Sequence, residues 1–509
     1  LERKKREAPS FLSRYGSAVR NARSIDITRR TTLYRKAMAK DAKANGTFFV
    51  GVRTTGIYCL PSCRAKKPLL RNVIFFLTED EAQAAGLRAC RVCRPDLFMR
   101  GTDVHELELR RVLELMDDED DSMANARDLA SRANMGQTKL NALFQETMHD
   151  TPATFLRRRR VERAQRELLK KPTRDVLAIA FDCGFASASA FYRQFLSITC
   201  MTPKAYRQLT SNRAFHLHLP ASYDARSALA HVSRDVTGLS ERRTPSGFFK
   251  ALVDGQTRYA LEVRFTAARA QCIVHTAGAA SPSVMTHAHR VALRLLGLAT
   301  GVMGDFAGRA SHEPLVQTLV ARTPGCRLIQ TASVFEALVW ALLGQQVTVE
   351  AATRLRRKLT ELVNRRAPCE LLAPPQPADI AQLTVEQLTG LGLVRMRAQT
   401  LREVSSAIAG GKLELESHPP RPASATQRAL TAFRGVGPWT AQYTLLRGAG
   451  FGDVTLANDA ALSKSLEGFY RLAHRPTPPE VESLMAPFAP HRSAATILLW
   501  HTLRQPESR

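Results

Sequence analysis

No stretch of this chain approaches the roughly 18 consecutive apolar residues that a membrane-crossing helix requires, which excludes a helical membrane protein. Acidic residues are scarce: 46 Asp and Glu stand against 73 Lys and Arg, a formal net charge of +27 over 509 residues. A chain that basic points to a polyanionic partner, nucleic acid first. Nine cysteines, an odd number unevenly spaced, argue against a disulfide framework and for a reducing interior where thiols serve chemistry or metal. The first forty residues are rich in Arg and Lys but lack an apolar core segment, so no secretory signal is expected. The chain begins at Leu1 rather than Met, which leaves the natural start open.

What is present is a multidomain protein, mainly α with α+β parts. A length of 509 residues exceeds one core, and 44% hydrophobic content can fill several. Residues 1–29 read as a disordered basic tail. Residues 30–100, with four cysteines, read as a small α/β metal domain. Residues 105–210 are helical and very basic, with Arg157 to Arg160 in one helix, and the acidic run from Asp117 to Asp121 reads as a solvated loop. In 213–330 alternation such as Tyr259 to Phe265 predicts an antiparallel α+β domain. Residues 331–509 turn helical again, with Phe335, Leu338, Val339 and Leu342 on one face. The Pro-rich stretches 373–377 and 419–422 read as surface connections.

Cys59 and Cys63 with Cys90 and Cys93 form a C-x3-C and C-x2-C pair of pairs, the donor set that tetrahedral Zn²⁺ prefers. On spacing alone the site is a structural zinc ribbon. The residues around it, Phe48 to Arg64 and Ala85 to Asp96, closely resemble the N-terminal domain of the Ada methylation-response family. The resemblance implies one zinc ion on all four cysteines and makes Cys59 both ligand and acceptor of a methyl group from a DNA methylphosphotriester. Arg64, Lys66, Lys67 and Arg71 would hold the DNA backbone. Methylation would cancel a negative charge and raise DNA affinity. Leu60 stands where the family pattern often has Arg.

Ala178 to Phe195 reads as helix, Gly-containing turn, helix, followed by Thr202 to Arg207; an earlier unit runs from Ala126 through Asn141. The whole resembles the AraC/XylS-type DNA-binding domain. That implies promoter DNA and RNA polymerase as partners, with Gln137, Thr138, Asn141, Ser187, Ser189, Arg193 and Gln194 as base readers. Phe181, Phe185, Phe191 and Phe195 are expected in the core. No Pro-Cys-His-Arg motif exists, so O6-methylguanine repair is not expected, and Cys183, Cys200, Cys272, Cys326 and Cys369 read as small buried hydrophobes.

The third motif is Gly435-Val436-Gly437-Pro438-Trp439-Thr440-Ala441, with Asp459 about twenty positions later. The two glycines allow a tight turn whose bare N–H groups approach a phosphate, so Gly435, Val436 and Gly437 would hold double-stranded DNA without reading it. Alone, the turn is equally an ordinary helix connection and Asp459 equally a helix N-cap. The surroundings resemble the helix-hairpin-helix glycosylase superfamily, in particular 3-methyladenine DNA glycosylase II of the AlkA type. This implies that Asp459 assists N-glycosidic cleavage, with Asn458 supporting it or capping the helix. Trp439, Tyr443 and Trp500 would form a stacking pocket for a cationic alkylated base. Trp439 replaces the lysine of bifunctional relatives, so strand cleavage through a Schiff base is not expected, and without a four-cysteine loop after Asp459 neither is an iron–sulfur cluster. Gln346 would be a wedge, polar where the family has an apolar residue. Trp340 is expected in the core, and Arg492 near the pocket.

These readings combine into an alkylation-damage protein of the bacterial cytoplasm, associated with the nucleoid: methyl acceptor, promoter-binding activator and monofunctional glycosylase in one chain. The alternative is a methylation-activated regulator whose glycosylase half binds DNA without catalysis.

Overall fold

In a computed structural model, residues 27–41, 44–101, 103–117, 125–232, 235, 237–417 and 421–503 are described. Most of the expected basic tail (1–26), the acidic run from residue 118 onward, and Pro419 and Pro420 lie outside them. The chain divides into two compact units, to Leu115 and from Met116.

The first unit opens with α1 (Ile27–Met38), so residues 27–29 are helix rather than tail. Leu33, Tyr34 and Ala37 of this helix pack on the cysteine-bearing core, and Arg30 donates to the Leu70 and Val73 carbonyls at 3.1 and 3.2 Å. Four short strands follow, β1 (Phe49–Val52), β2 (Ile57–Cys59), β3 (Val73–Phe76) and β4 (Arg88–Ala89), ordered β3-β1-β2-β4. Alternation gives the sheet two faces. Phe48, Val50 and Phe75 lie with the cysteines; Phe49, Tyr58 and Phe76 lie with Leu87 and Ala82 of α2 (Glu79–Ala84), which Thr78 caps. Helices α3 (Pro95–Met99) and α4 (Val104–Asp117) carry the chain onward.

The second unit begins with two helix-turn-helix pairs, α5 (Ala126–Arg132) with α6 (Gln137–Met148), and α8 (Val176–Asp182) with α9 (Ala188–Thr199). Between them runs the 19-residue α7 (Pro152–Lys170), and α10 (Pro203–Arg207) closes the set. Asn125, Thr151, Asp175, Ser187 and Thr202 each accept a backbone N–H from the helix they open, so polar sequence signals fix five helix starts. Phe185, Phe191 and Phe195 are core as expected, but Phe181 is 54% exposed on the outer face of α8. Of the isolated cysteines, Cys183, Cys200, Cys272 and Cys326 are buried, whereas Cys369 is half-buried at a left-handed position.

No boundary in the core separates this region from the next. β5 (Ala214–His218), α11 (Ala225–Val232), β6 (Glu241–Thr244), β7 (Gly247–Asp254), β8 (Thr257–Phe265) and β9 (Arg269–His275) form an antiparallel sheet ordered β5-β9-β8-β7-β6. Phe191, Phe195 and Tyr206 share one hydrophobic cluster with Phe215, Phe248 and Leu261 of this sheet, and with Val284 and Met285 of α12 (Pro282–Leu295). Alternation ends at β9, and the rest of the section is helical: α12, α13 (Val302–Gly308) and α14 (Pro314–Arg322).

The remainder holds α15 (Val334–Leu343), α16 (Val349–Val363), the hairpin β10 (Arg366–Ala367) and β11 (Leu371–Leu372), then α17 (Pro377–Gln382), α18 (Val385–Gly390), α19 (Arg395–Ala409) and α20 (Ala423–Thr431). After these come α21 (Pro438–Tyr443), a π-helical turn at Thr444–Ala449, α22 (Ala460–Tyr470), α23 (Pro478–Met485) and α24 (Arg492–Thr502). Two cores meet here. Val436 lies in the one built on α15 and α19, while Trp439 and Trp500 pack against the one built on α22 and α24. The Gly435 turn therefore sits on the seam.

His289 on α12 is buried between Tyr206 and Phe215, and its Nε2 bonds the Thr199 carbonyl at 2.8 Å. Burial lowers its pKa from 6.5 to about 4. The unfolded chain therefore takes up this proton at a higher pH than the folded chain, so the stabilisation is complete above pH 6.5 and lost as pH falls toward 4. Its size is about 3 kcal/mol. Denaturant titrations of wild type and His289→Gln between pH 7 and 4.5 should show a steeper acid loss in the wild type; parallel profiles would contradict the assignment.

Candidate active site and metal centre

Strand pairing builds the cysteine cluster. β2 and β4 run parallel with Tyr58 opposite Ala89, and the Cys90 N–H donates to the Tyr58 carbonyl at 2.9 Å, so Cys59 and Cys90 leave the sheet side by side. Tight turns then return Cys63 and Cys93 to the same point, with the Cys63 N–H on the Leu60 carbonyl at 3.1 Å. All four Sγ atoms lie within 4.8 Å of one another, and Cys63 and Cys90 are 4.0 Å apart. A zinc–sulfur tetrahedron has an edge of about 3.8 Å, so the set fits the ion. Hydrogen bonding from Cys59 and Cys93 pulls the Cys63 thiol well below its ordinary value, while its bond to Cys63 pushes Cys59 up. Four crowded sulfurs, three of them on buried cysteines, cannot all ionise without a countercharge, which a divalent cation supplies.

Arg64 and Lys66 are exposed beside the cluster. Lys67 is half-buried: its Nζ donates to the Pro61 carbonyl at 2.8 Å inside the cysteine loop, and desolvation lowers its pKa. Leu60 is buried with Phe49, Tyr58 and Phe76, so apolar packing fills the position where the family pattern has Arg.

In the helix-turn-helix pairs, Gln137, Thr138 and Asn141 are exposed on the first turns of α6, and Ser189 and Arg193 are exposed on α9. Ser187 is exposed but its hydroxyl caps α9, accepting the Ala190 N–H at 3.2 Å. Gln194 is less open than these. It is half-buried with Oε1 shielded from solvent, because it follows Phe191 by three residues on the packed face.

A cleft of about 1440 Å³ lies along the seam around Asp459. Gly435 has φ +88°, and a Cβ there would collide with Thr400, whose hydroxyl donates to the Arg434 carbonyl at 2.7 Å. Gln345 Nε2 donates to the Gly435 carbonyl and to Thr440 Oγ1, each at 2.9 Å, and Arg397 donates to the Gln345 carbonyl at 2.7 Å. The turn is thus fixed from behind while Gly437, where a Cβ would meet nothing within 4 Å, opens onto the cleft.

Asp459 is both N-cap and cleft residue. Oδ1 accepts the Leu462 N–H at 2.7 Å and the Trp500 indole N–H at 2.9 Å; Oδ2 accepts the Trp439 indole N–H at 2.9 Å. Trp439, Tyr443 and Trp500 form a tilted row with centroid spacings of 5.5 and 6.4 Å. The guanidinium of buried Arg447, in the π-helical turn, lies 5.3 Å from the Trp500 ring. Gln346 is exposed at the rim with φ +53°, beside exposed Val347 and Val349. Asn458 also lines the cleft.

Two expectations need amending here. Trp340 packs against the core but is only half-buried and also lines the cleft, with Arg356 5.6 Å from its ring. Arg356 belongs to a buried network in which Lys250 bonds Glu241 at 3.0 Å and Glu336 at 2.8 Å; Arg356 also pairs with Glu241. Arg492 is absent from the cleft lining and instead grips Asp453 with two bonds of 2.7 and 2.6 Å. Sequence reasoning missed Trp340, Gln345, Arg397 and Arg447 as cleft residues. Gln345 was detectable beside Gln346, and Arg447 four residues after Tyr443; Arg397 comes from a distant segment.

Residues 32–96 match the metal binding domain of Ada, 129–209 a helix-turn-helix domain, and 339–490 the HhH-GPD superfamily of base excision DNA repair proteins. The chain unites an Ada metal-binding, a helix-turn-helix and an HhH-GPD domain. Over 502 residues it is 29% identical to the probable bifunctional transcriptional activator/DNA repair enzyme AlkA of Mycobacterium tuberculosis, covering 93% of this chain and 96% of that protein. It is 31% identical over 207 residues to the bifunctional transcriptional activator/DNA repair enzyme Ada of Escherichia coli K12, covering 40% of this chain and 57% of that one. With DNA-3-methyladenine glycosylase 2 of the same organism, identity is 31% over 186 residues, 36% of this chain and 63% of that one. The Gly435 turn and Asp459 lie inside the HhH-GPD match, and Trp500 ten residues beyond it. No helix among the described residues is long and apolar enough to cross a membrane.

The sulfur geometry of the Ada domain predicts one zinc per chain. Elemental analysis should find it, and a strong chelator should unfold the first unit by circular dichroism, since metal binding and folding are linked in so small a core. A metal-free chain with an intact first unit would contradict the prediction.

Proposed function

We propose that this chain removes alkylated purines such as 3-methyladenine from double-stranded DNA and reports alkylation to transcription. The observation that carries the proposal is the Asp459 carboxylate, held by two indole N–H groups and a helix N-terminus in a cleft bordered by the Gly435 turn. A flipped base would stack among Trp439, Tyr443 and Trp500, with cation–π attraction of roughly 0.5–2 kcal/mol favouring a cationic alkylated base. One face of Trp500 already meets Arg447, and Tyr443 lies buried between the two indoles, which leaves Trp439 as the better partner. As the N-glycosidic bond breaks, the base departs with the bonding electrons. Asp459 offsets the positive charge developing on the sugar, and water then adds to it. Without an amine in the place of Trp439, the reaction ends at base release.

In the first unit, Cys59 Sγ would attack the methyl carbon of a methylphosphotriester; the S–C bond forms as the C–O bond breaks and the phosphate oxygen keeps the electron pair. Bound zinc would hold the sulfur as thiolate at neutral pH. Loss of that negative charge would tighten DNA binding, with Arg64 and Lys66 on the phosphates. The α6 and α9 faces would then read a promoter and recruit RNA polymerase. Residues 30–100, 105–210, 213–330 and 331–509 are the proposed functional divisions.

Two measurements test this. Wild type should release 3-methyladenine from methylated duplex DNA, and Asp459→Asn should lower the single-turnover rate by at least about 100-fold; no release by wild type leaves only the regulator. After incubation with methylphosphotriester DNA, peptide mass mapping should place one added CH₂ on Cys59. A methyl group on another cysteine refutes the acceptor assignment.

A further inference from the structure

The first helix-turn-helix pair touches the loop that leads to Asp459. His149 caps the C-terminus of α6 with φ 52°, and its Nδ1 accepts the Asp453 N–H at 3.2 Å. Its ring meets Phe451 edge-on at 5.3 Å. Between them sits Gly452, where a Cβ would come within 3.4 Å of the His149 carbonyl oxygen and 3.1 Å of Val302 Cγ2, so only glycine permits this approach without displacement.

The same loop is fixed from its other side by the start of α24. Ser493 Oγ donates to the Phe451 carbonyl at 2.6 Å and accepts the Val454 N–H at 3.0 Å, and the Ser493 N–H donates to the Gly452 carbonyl at 3.1 Å. The Asp453 carboxylate holds Arg492. From here two routes converge: the chain runs on through Val454 to Asn458 and Asp459, while α24 ends near Trp500, whose indole bonds Asp459. Desolvation lowers the His149 pKa to about 4, which keeps Nδ1 available as an acceptor at neutral pH.

We infer that His149 is a positioning residue of the glycosylase centre: the DNA-binding half of the chain, through α6, holds the 451–454 loop and thereby the geometry of Asp459 and Trp500. The inference rests on the glycosylase reading above. It makes α6 a two-ended element, with Gln137, Thr138 and Asn141 exposed at its start and the loop contact at its end.

The test uses the full chain with His149→Gly, which keeps the left-handed backbone while deleting the ring, and His149→Asn, which keeps both that backbone and an acceptor. On methylated duplex lacking a promoter site, His149→Gly should lower kcat about tenfold with KM within about twofold, and His149→Asn should recover most of the loss. Hydrogen exchange should show faster exchange of the Asp453 amide in His149→Gly alone. Wild-type kcat in His149→Gly, or equal losses in both variants, overturns the inference. If wild type releases no base the glycosylase reading falls, and the exchange result alone decides: unchanged protection at residues 451–459 overturns the positioning role.

Discussion

A carboxylate placed among indole rings must be satisfied where it sits, and that requirement organises the second unit. Asp459 is 8% exposed, and its partners come from three places: the helix after the glycine turn, the C-terminal helix and its own helix. A buried charge with too few donors costs several kcal/mol, so these helices can shift only together. The turn is held from behind by Gln345, Thr400 and Arg397, and α24 by Ser493 and Arg492. Cleft shape and carboxylate orientation are consequences of one hydrogen-bond system.

The cysteine cluster answers a similar problem by different means. There the demand is charge rather than hydrogen bonds, because four sulfurs crowd within 4.8 Å. Parallel pairing of two very short strands sets the two cysteine turns next to each other, and the core around them is too small to do so with much surplus stability. Lys67 turns into this loop and bonds a carbonyl, which leaves Arg64 and Lys66 at the surface.

Much of this was legible because it is local. Capping residues, glycine turns and the i, i+3, i+4 pattern fix the helix pairs, and close cysteine spacing declares the metal cluster. The residues misjudged depend on what distant chain packs against them. Phe181 fits the apolar pattern of α8, yet no later segment among the described residues buries it. Trp340 reads simply as core, yet it also borders the cleft, its ring faced by Arg356, which Glu241 of the sheet holds. Gln194 is polar in sequence but follows the packed face of α9, and Arg492 found an aspartate instead of the cleft. Likeness to known families identifies the three domains; it does not assign these side chains.

The absence of a core boundary between the second helix-turn-helix pair and the sheet bears on descent. A regulator and an enzyme joined by a linker can be exchanged by recombination, each keeping its fold. Here Phe191 and Phe195 share a hydrophobic interior with Phe215 and Leu261, and a cut between the halves would leave both with bare apolar surface. A recombination that separated the halves would therefore have to repack this interior, and a substitution at Phe195 or Phe215 acts on the stability of both.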